Sequence, residues 1–102
     1  MEQNNIITQA FLREQGFVKD ESAPDAVERF FKRQDGCHAY YVTVTFRGGV
    51  PDWIFMRMTD YAQNGALVRT RTWDAKGHPM SADDILRGQE DLGVVIIDKS
   101  NS

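Results

Sequence analysis

Between Val27 and Trp73 apolar and polar positions alternate with period two, the spacing of a half-buried β-sheet. The clearest segment is Cys37–Arg47 (CHAYYVTVTFR). It sets His38, Tyr40, Val42, Val44 and Phe46 on one face and Ala39, Tyr41, Thr43, Thr45 and Arg47 on the other. Asp52–Met58 continues the pattern, with Trp53, Phe55 and Arg57 opposed to Ile54, Met56 and Met58. Leu67–Trp73 follows, with Leu67, Arg69, Arg71 and Trp73 opposed to Val68, Thr70 and Thr72. Gly48-Gly49-Val50-Pro51 and the Asn64-Gly65 pair separate these strands, since glycine and asparagine accept the positive φ of tight turns.

Residues 22–33 support two readings. Ser22-x-x-Asp25 followed by Val27, Phe30 and Phe31 has the spacing of a capped helix. Asp35-Gly36 is instead a hairpin turn signal, and it favours a strand over Val27–Arg33 that pairs with Cys37–Arg47.

Helical spacing flanks the sheet. Asn4 or Asn5 is placed to cap a helix whose stripe is Ile6, Ala10 and Phe11, and Gly16 is placed to stop it. Ser81, with Asp84 three residues on and Asp83 beside it, opens a second helix edged by Ile85, Leu86, Gln89 and Leu92 and ended by Gly93. Val94–Ile97 reads as a short buried strand, and residues 98–102 as a frayed end. The expected fold is therefore one α+β domain over residues 1–102. It is an antiparallel β-meander of three to four strands, with an N-terminal and a C-terminal helix packed on one face and a short terminal strand. The expected core is Phe11, Phe17, Tyr40, Val42, Val44, Ile54, Met56, Val68, Ile85 and Val95.

Composition adds constraints on partners. The 102 residues are 41% hydrophobic and 26% charged, which suits one small domain with little room for a deep catalytic cleft. A single cysteine excludes an intrachain disulfide and fits a reducing compartment. MEQNNIITQAF lacks the basic and apolar regions of a secretory signal, and Val94–Ile97 is too short to span a bilayer, so a cytoplasmic protein without a membrane partner is expected. The net charge of −3 is unevenly spread: residues 27–73 carry seven basic against four acidic side chains, and both flanks are acidic. Glu14, Asp20, Glu21 and Asp25 would join Asp83, Asp84, Glu90 and Asp91 in one anionic surface if both helices pack on the same side.

Catalytic and metal signatures are missing. Gly48-Gly49 lacks the downstream residues of a phosphate loop, and there is no G-x-S-x-G or H-E-x-x-H. Cys37, His38 and His78 with Asp74 or Asp83 make a metal set only on paper, because Cys37 and His38 are adjacent on a strand and point to opposite faces. His38 reads as a core-edge histidine, His78 as a turn residue, Cys37 as a buried strand cysteine, and Asp83 and Asp84 as capping acids. No enzyme activity, cofactor or metal is expected.

Trp53, Phe55, Arg57, Arg69, Arg71 and Trp73 are the partner-binding candidates. If their two strands pair so that both sets share a face, indole rings and guanidinium groups form one plate. Trp and Arg are enriched at protein–protein hot spots, so the leading expectation is a non-catalytic protein-binding module. Its format is that of a small accessory, inhibitor or immunity-type protein of a phage or mobile element. The alternative is a sheet that binds single-stranded nucleic acid by stacking and phosphate neutralisation, against which the acidic net charge weighs. An open sheet edge also makes a homodimer an expected use of the same region.

Overall fold

The structure, a computed structural model, describes residues 6–25 and 27–97. Its elements are α1 (Gln9–Glu14), β1 (Val18–Lys19), β2 (Val27–Gln34), β3 (His38–Arg47), β4 (Val50–Tyr61), β5 (Leu67–Lys76) and α2 (Ala82–Leu92). The five strands form one antiparallel sheet in sequence order. The meander thus has five strands where three to four were expected, the addition being the two-residue β1 that pairs with Phe30 and Phe31. Within residues 22–33 the strand reading holds from Val27 onward: Val27–Gln34 pairs along its length with β3 across the Asp35-Gly36 turn.

Glycine decides the tightest connection. Gly48 (φ 61°) and Gly49 (φ 81°) join β3 to β4, and two consecutive positive φ values match the right-handed twist of the flanking strands. Two irregularities then set the phase of β4. Between Thr45 and Phe46 the register with β3 shifts, leaving Asp52 as the extra residue. Between Asp60 and Tyr61 the register with β5 shifts, leaving Val68 as the extra residue.

One face of the sheet is covered. Val42, Val44, Phe30, Ile54 and Met56 are buried there with Leu12, Phe17, Met80, Ile85 and Leu92. The Arg13 guanidinium of α1 lies over the Phe30 ring on this face (5.1 Å), and Gln9 donates to Glu28 (2.8 Å). α2 lies over Met56 and Trp73, which are paired across β4 and β5. Both helices therefore sit on the same side.

Thr8, rather than Asn4 or Asn5, caps α1, its Oγ1 accepting from the Phe11 N–H (3.0 Å); Asn4 and Asn5 lie outside the described residues. Ile6 is bridged to Ser81 ahead of the helix. The second helix follows expectation: Ser81 is its N-cap, the Ser81 N–H donates to Asp84 Oδ2 (2.8 Å), and Gly93 ends it at φ 73°.

Residues 94–97 form no strand. Ile96 and Ile97 are buried, but their N–H groups donate to the Gln89 side-chain oxygen of α2, which satisfies them without a sheet neighbour. Val95 is consequently 76% exposed, and Val68, the bulge residue, is 61% exposed, so neither belongs to the core. The frayed end expected at 98–102 lies outside the described residues. No helix among the described residues is long and apolar enough to cross a membrane.

Gly88 faces the sheet with no room for a side chain. A Cβ there would lie 2.6 Å from Met56 Sδ and 2.7 Å from Trp73 Cε3. Gly88→Ala is expected to lower stability by about 1–2 kcal/mol despite alanine's better helix propensity, because the overpacking outweighs it. Urea unfolding of the two proteins measures this.

Candidate functional site

The helix-free face of the sheet is where many of the sequence's aromatic and basic residues gather. Directly paired residues share a face, so the registers lay out three rows. Arg29, Thr45, Trp53 and Lys76 form the first, and Phe31, Thr43, Phe55 and Asp74 the second. Arg33, Tyr41, Arg57 and Thr72 form the third. Two ring pairs result, Trp53–Phe55 at 6.4 Å and Phe31–Tyr41 at 6.1 Å between centroids.

The rings carry cations. The Arg57 guanidinium lies over Tyr41 (5.4 Å) and Lys76 over Trp53 (5.9 Å). The Trp53 indole N–H donates to Asp74 (3.2 Å), which holds the ring in place while leaving Trp53 38% exposed. Down the middle, Thr43 and Thr45 are buried although no helix covers them, because the larger side chains on β2 and β4 close over them. At one end an open groove of about 630 Å³ is lined by Arg47, Asp52, Trp53, Lys76, His78 and Pro79.

The six candidates do not share a face. Trp53, Phe55 and Arg57 lie on the open side, whereas Arg69, Arg71 and Trp73 lie on the helix side, opposite Asp60, Met58 and Met56. The Val68 bulge is the cause: one extra residue reverses which side every later residue of β5 occupies relative to the turn. Trp73 packs against the core beneath Gly88. Arg69 Nε donates to Asp60 Oδ2 (2.9 Å), Arg71 lies 3.8 Å from the same oxygen, and His38 Nδ1 is 2.8 Å from Asp60 Oδ1. Phe31, Arg33, Tyr41 and Lys76 are the residues of the face that sequence reasoning missed. Counting outward in both directions from the Asp35-Gly36 turn would have placed the first three.

His78 and Ser81 both contact Asp84, and Arg87 also bonds that carboxylate, so the group organises the start of α2. Asp83 is exposed in the first turn. Cys37, expected to be buried, is exposed in the β2–β3 connection. Among the described residues no three His, Cys, Asp or Glu side chains converge on a point that would hold a metal. The anionic surface is reduced by pairing: Asp20 bonds Ser22 and Arg29, and Asp84 is consumed in the cap.

Asp60 and Asp84, like Asp20 with its hydrogen bonds from Ser22, are held below the usual aspartate range. Hydrogen bonds from His38 and then Arg69 lower Asp60. Burial pushes Asp84 upward, but the Ser81 N–H, His78 and Arg87 together outweigh it and leave the pKa lowered. The folded protein therefore binds fewer protons than the unfolded chain just below the ordinary aspartate value. The stabilisation is complete above pH ~4 and is lost as pH falls through the lowered values. Urea midpoints measured from pH 6 to pH 2 should fall more steeply for the native sequence than for Asp60→Asn or Asp84→Asn.

The two tryptophans should also separate. Trp73→Ala is expected to cost about 3 kcal/mol by emptying a packed position, and Trp53→Ala about 0.5 kcal/mol or less, both read from thermal or urea unfolding. Comparison with family models, with curated proteins and with solved structures found no match to this chain.

Proposed function

We propose that this chain is a non-catalytic protein-binding module that docks a larger partner on its helix-free sheet face. The observation that carries the reading is the two ring pairs Phe31–Tyr41 and Trp53–Phe55, set on either side of Thr43 on the helix-free side of the sheet and edged by Arg33 and Arg57. Aromatic and arginine side chains on one patch are the composition of interface hot spots. The groove beside Trp53 offers a recess for a side chain of the partner. A small accessory or inhibitor-type protein acting in the cytoplasm fits this format, with Cys37 kept as a thiol.

A second reading is favoured by the cations stationed on the rings. Arg57 over Tyr41 and Lys76 over Trp53 set positive charge beside stacking surfaces, as in sheets that bind single-stranded nucleic acid.

Affinity capture with the native chain, Trp53→Ala and Arg57→Ala tests both. Under the protein-docking reading each substitution abolishes capture of a specific partner while leaving the protein folded and its melting temperature lowered by no more than a few degrees, and a labelled oligonucleotide gives no saturable signal at low salt. Saturable oligonucleotide binding that weakens by about 1–3 kcal/mol in Trp53→Ala replaces the first reading with the second. Capture unaffected by either substitution rejects this face as the docking surface.

A further inference from the structure

We propose that β5 pairs antiparallel with β5 of a second copy, across a two-fold axis normal to the sheet at Thr72. This stands apart from the docking face and does not depend on it. β5 ends the sheet, and on its outer side no backbone partner occurs among the described residues. An unpaired strand edge is a template for another strand unless a bulge, proline, opposed charges or short length blunts it. The other edge of this sheet is the two-residue β1. β5 is interrupted at its ends by the Val68 bulge and Lys76; Arg69–Ala75 between them is regular, and its charges at Arg69, Arg71 and Asp74 oppose pairing only in registers that set like charges together.

The side chains select the register. A two-fold axis normal to the sheet keeps each face continuous, so residues of one face pair only with residues of the same face. Centred on Thr72, Arg69 meets Ala75, Thr70 meets Asp74, Arg71 meets Trp73, and Thr72 meets itself. No like charges oppose one another, each Arg71 gains an indole ring as its neighbour, and the whole Arg69–Ala75 stretch is used. Moving the axis to Arg71 sets two guanidinium groups face to face, and moving it to Trp73 shortens the regular pairing.

The helices fit this arrangement. α2 straddles β4 and β5, contacting Met56 and Trp73. Adjacent strands are about 4.8 Å apart, so the two copies of α2 would lie two spacings, or about 9.6 Å, from each other. That is within the 8–10 Å at which helices pack. The dimer would join two open faces into one, with Arg57 and Thr72 of each copy in a single row.

Thr72→Lys tests the proposal, since Thr72 is exposed and its replacement would set two lysines opposite each other beside two Arg57 side chains. Light scattering and sedimentation over a concentration series should give the native chain twice its 11.6 kDa mass. Thr72→Lys should self-associate about tenfold more weakly or worse, with its melting unchanged at a concentration where both are monomers. A second experiment reads the register directly. In a Cys37→Ser background, Thr72→Cys should be trapped as a disulfide-linked dimer under mild oxidation. Thr70→Cys should not, because its two copies would be offset by four residues, about 13 Å. A native chain that remains monomeric at millimolar concentration overturns the proposal. So does a dimer indifferent to Thr72→Lys, or equal cross-linking of both cysteine variants.

Discussion

The phase of β4 against its two neighbours is the constraint on which the rest of the structure depends. β4 is apolar on both sides, with Ile54, Met56 and Met58 against Trp53 and Phe55, so hydrophobicity alone does not say which set belongs inside. The Asp52 bulge settles it on the β3 side. It brings Ile54 opposite Val44 and Met56 opposite Val42, and turns Trp53 toward Thr45 on the open side. A one-residue change of register would exchange the two sets completely. The core, the seat of α2 and the aromatic face all depend on that single insertion.

The second bulge, at Val68, then divides the basic residues of the sheet. It sends Arg69 and Arg71 to the helix side, where they meet Asp60, and leaves Thr72 and Asp74 beside Arg57 and Phe55. The guanidinium groups on the two faces have different roles in consequence. Arg69, with His38, holds an ionised Asp60 at the margin of the core, whereas Arg57 lies on an aromatic ring and remains exposed. The same division separates the tryptophans, one packed beneath α2 and one at the edge of a groove.

The covered side is tied together by polar contacts as much as by apolar ones. Lys32 reaches from β2 to the Gln15 and Ile96 carbonyl oxygens, both at 2.8 Å, linking the end of α1 and the C-terminal segment to the sheet. Gln89 performs the matching task from α2 by accepting from Ile96 and Ile97. These contacts confine the helices and the 94–97 segment to one side, so the other side of a five-stranded sheet carries no helix. They are joined by local pairs between the acidic flanks and the basic sheet, such as Asp20 with Arg29, and by Glu28 with Lys19.

Sequence by itself determined the elements whose signals are short-range. The Asp35-Gly36 and Gly48-Gly49 turns, the Ser81–Asp84 cap, the Gly93 stop and the alternation in β3 each depend on a few adjacent residues, and each is found where the pattern set it. Seven of the ten expected core residues are buried for the same reason, Phe11 being only partly so. Tertiary structure decided whatever depended on parity between strands. An extra residue in a pair carries almost no local signature, since Asp52 and Val68 look like ordinary strand or turn residues, yet each reverses the facing of every later residue in its strand. That is why Val68 lies outside the core and why the six aromatic and basic candidates divide into two sets of three. Val94–Ile97 forms no strand because apolar content signals burial but not its geometry. A buried segment needs partners for its N–H groups, and here one glutamine side chain supplied them in place of a neighbouring strand.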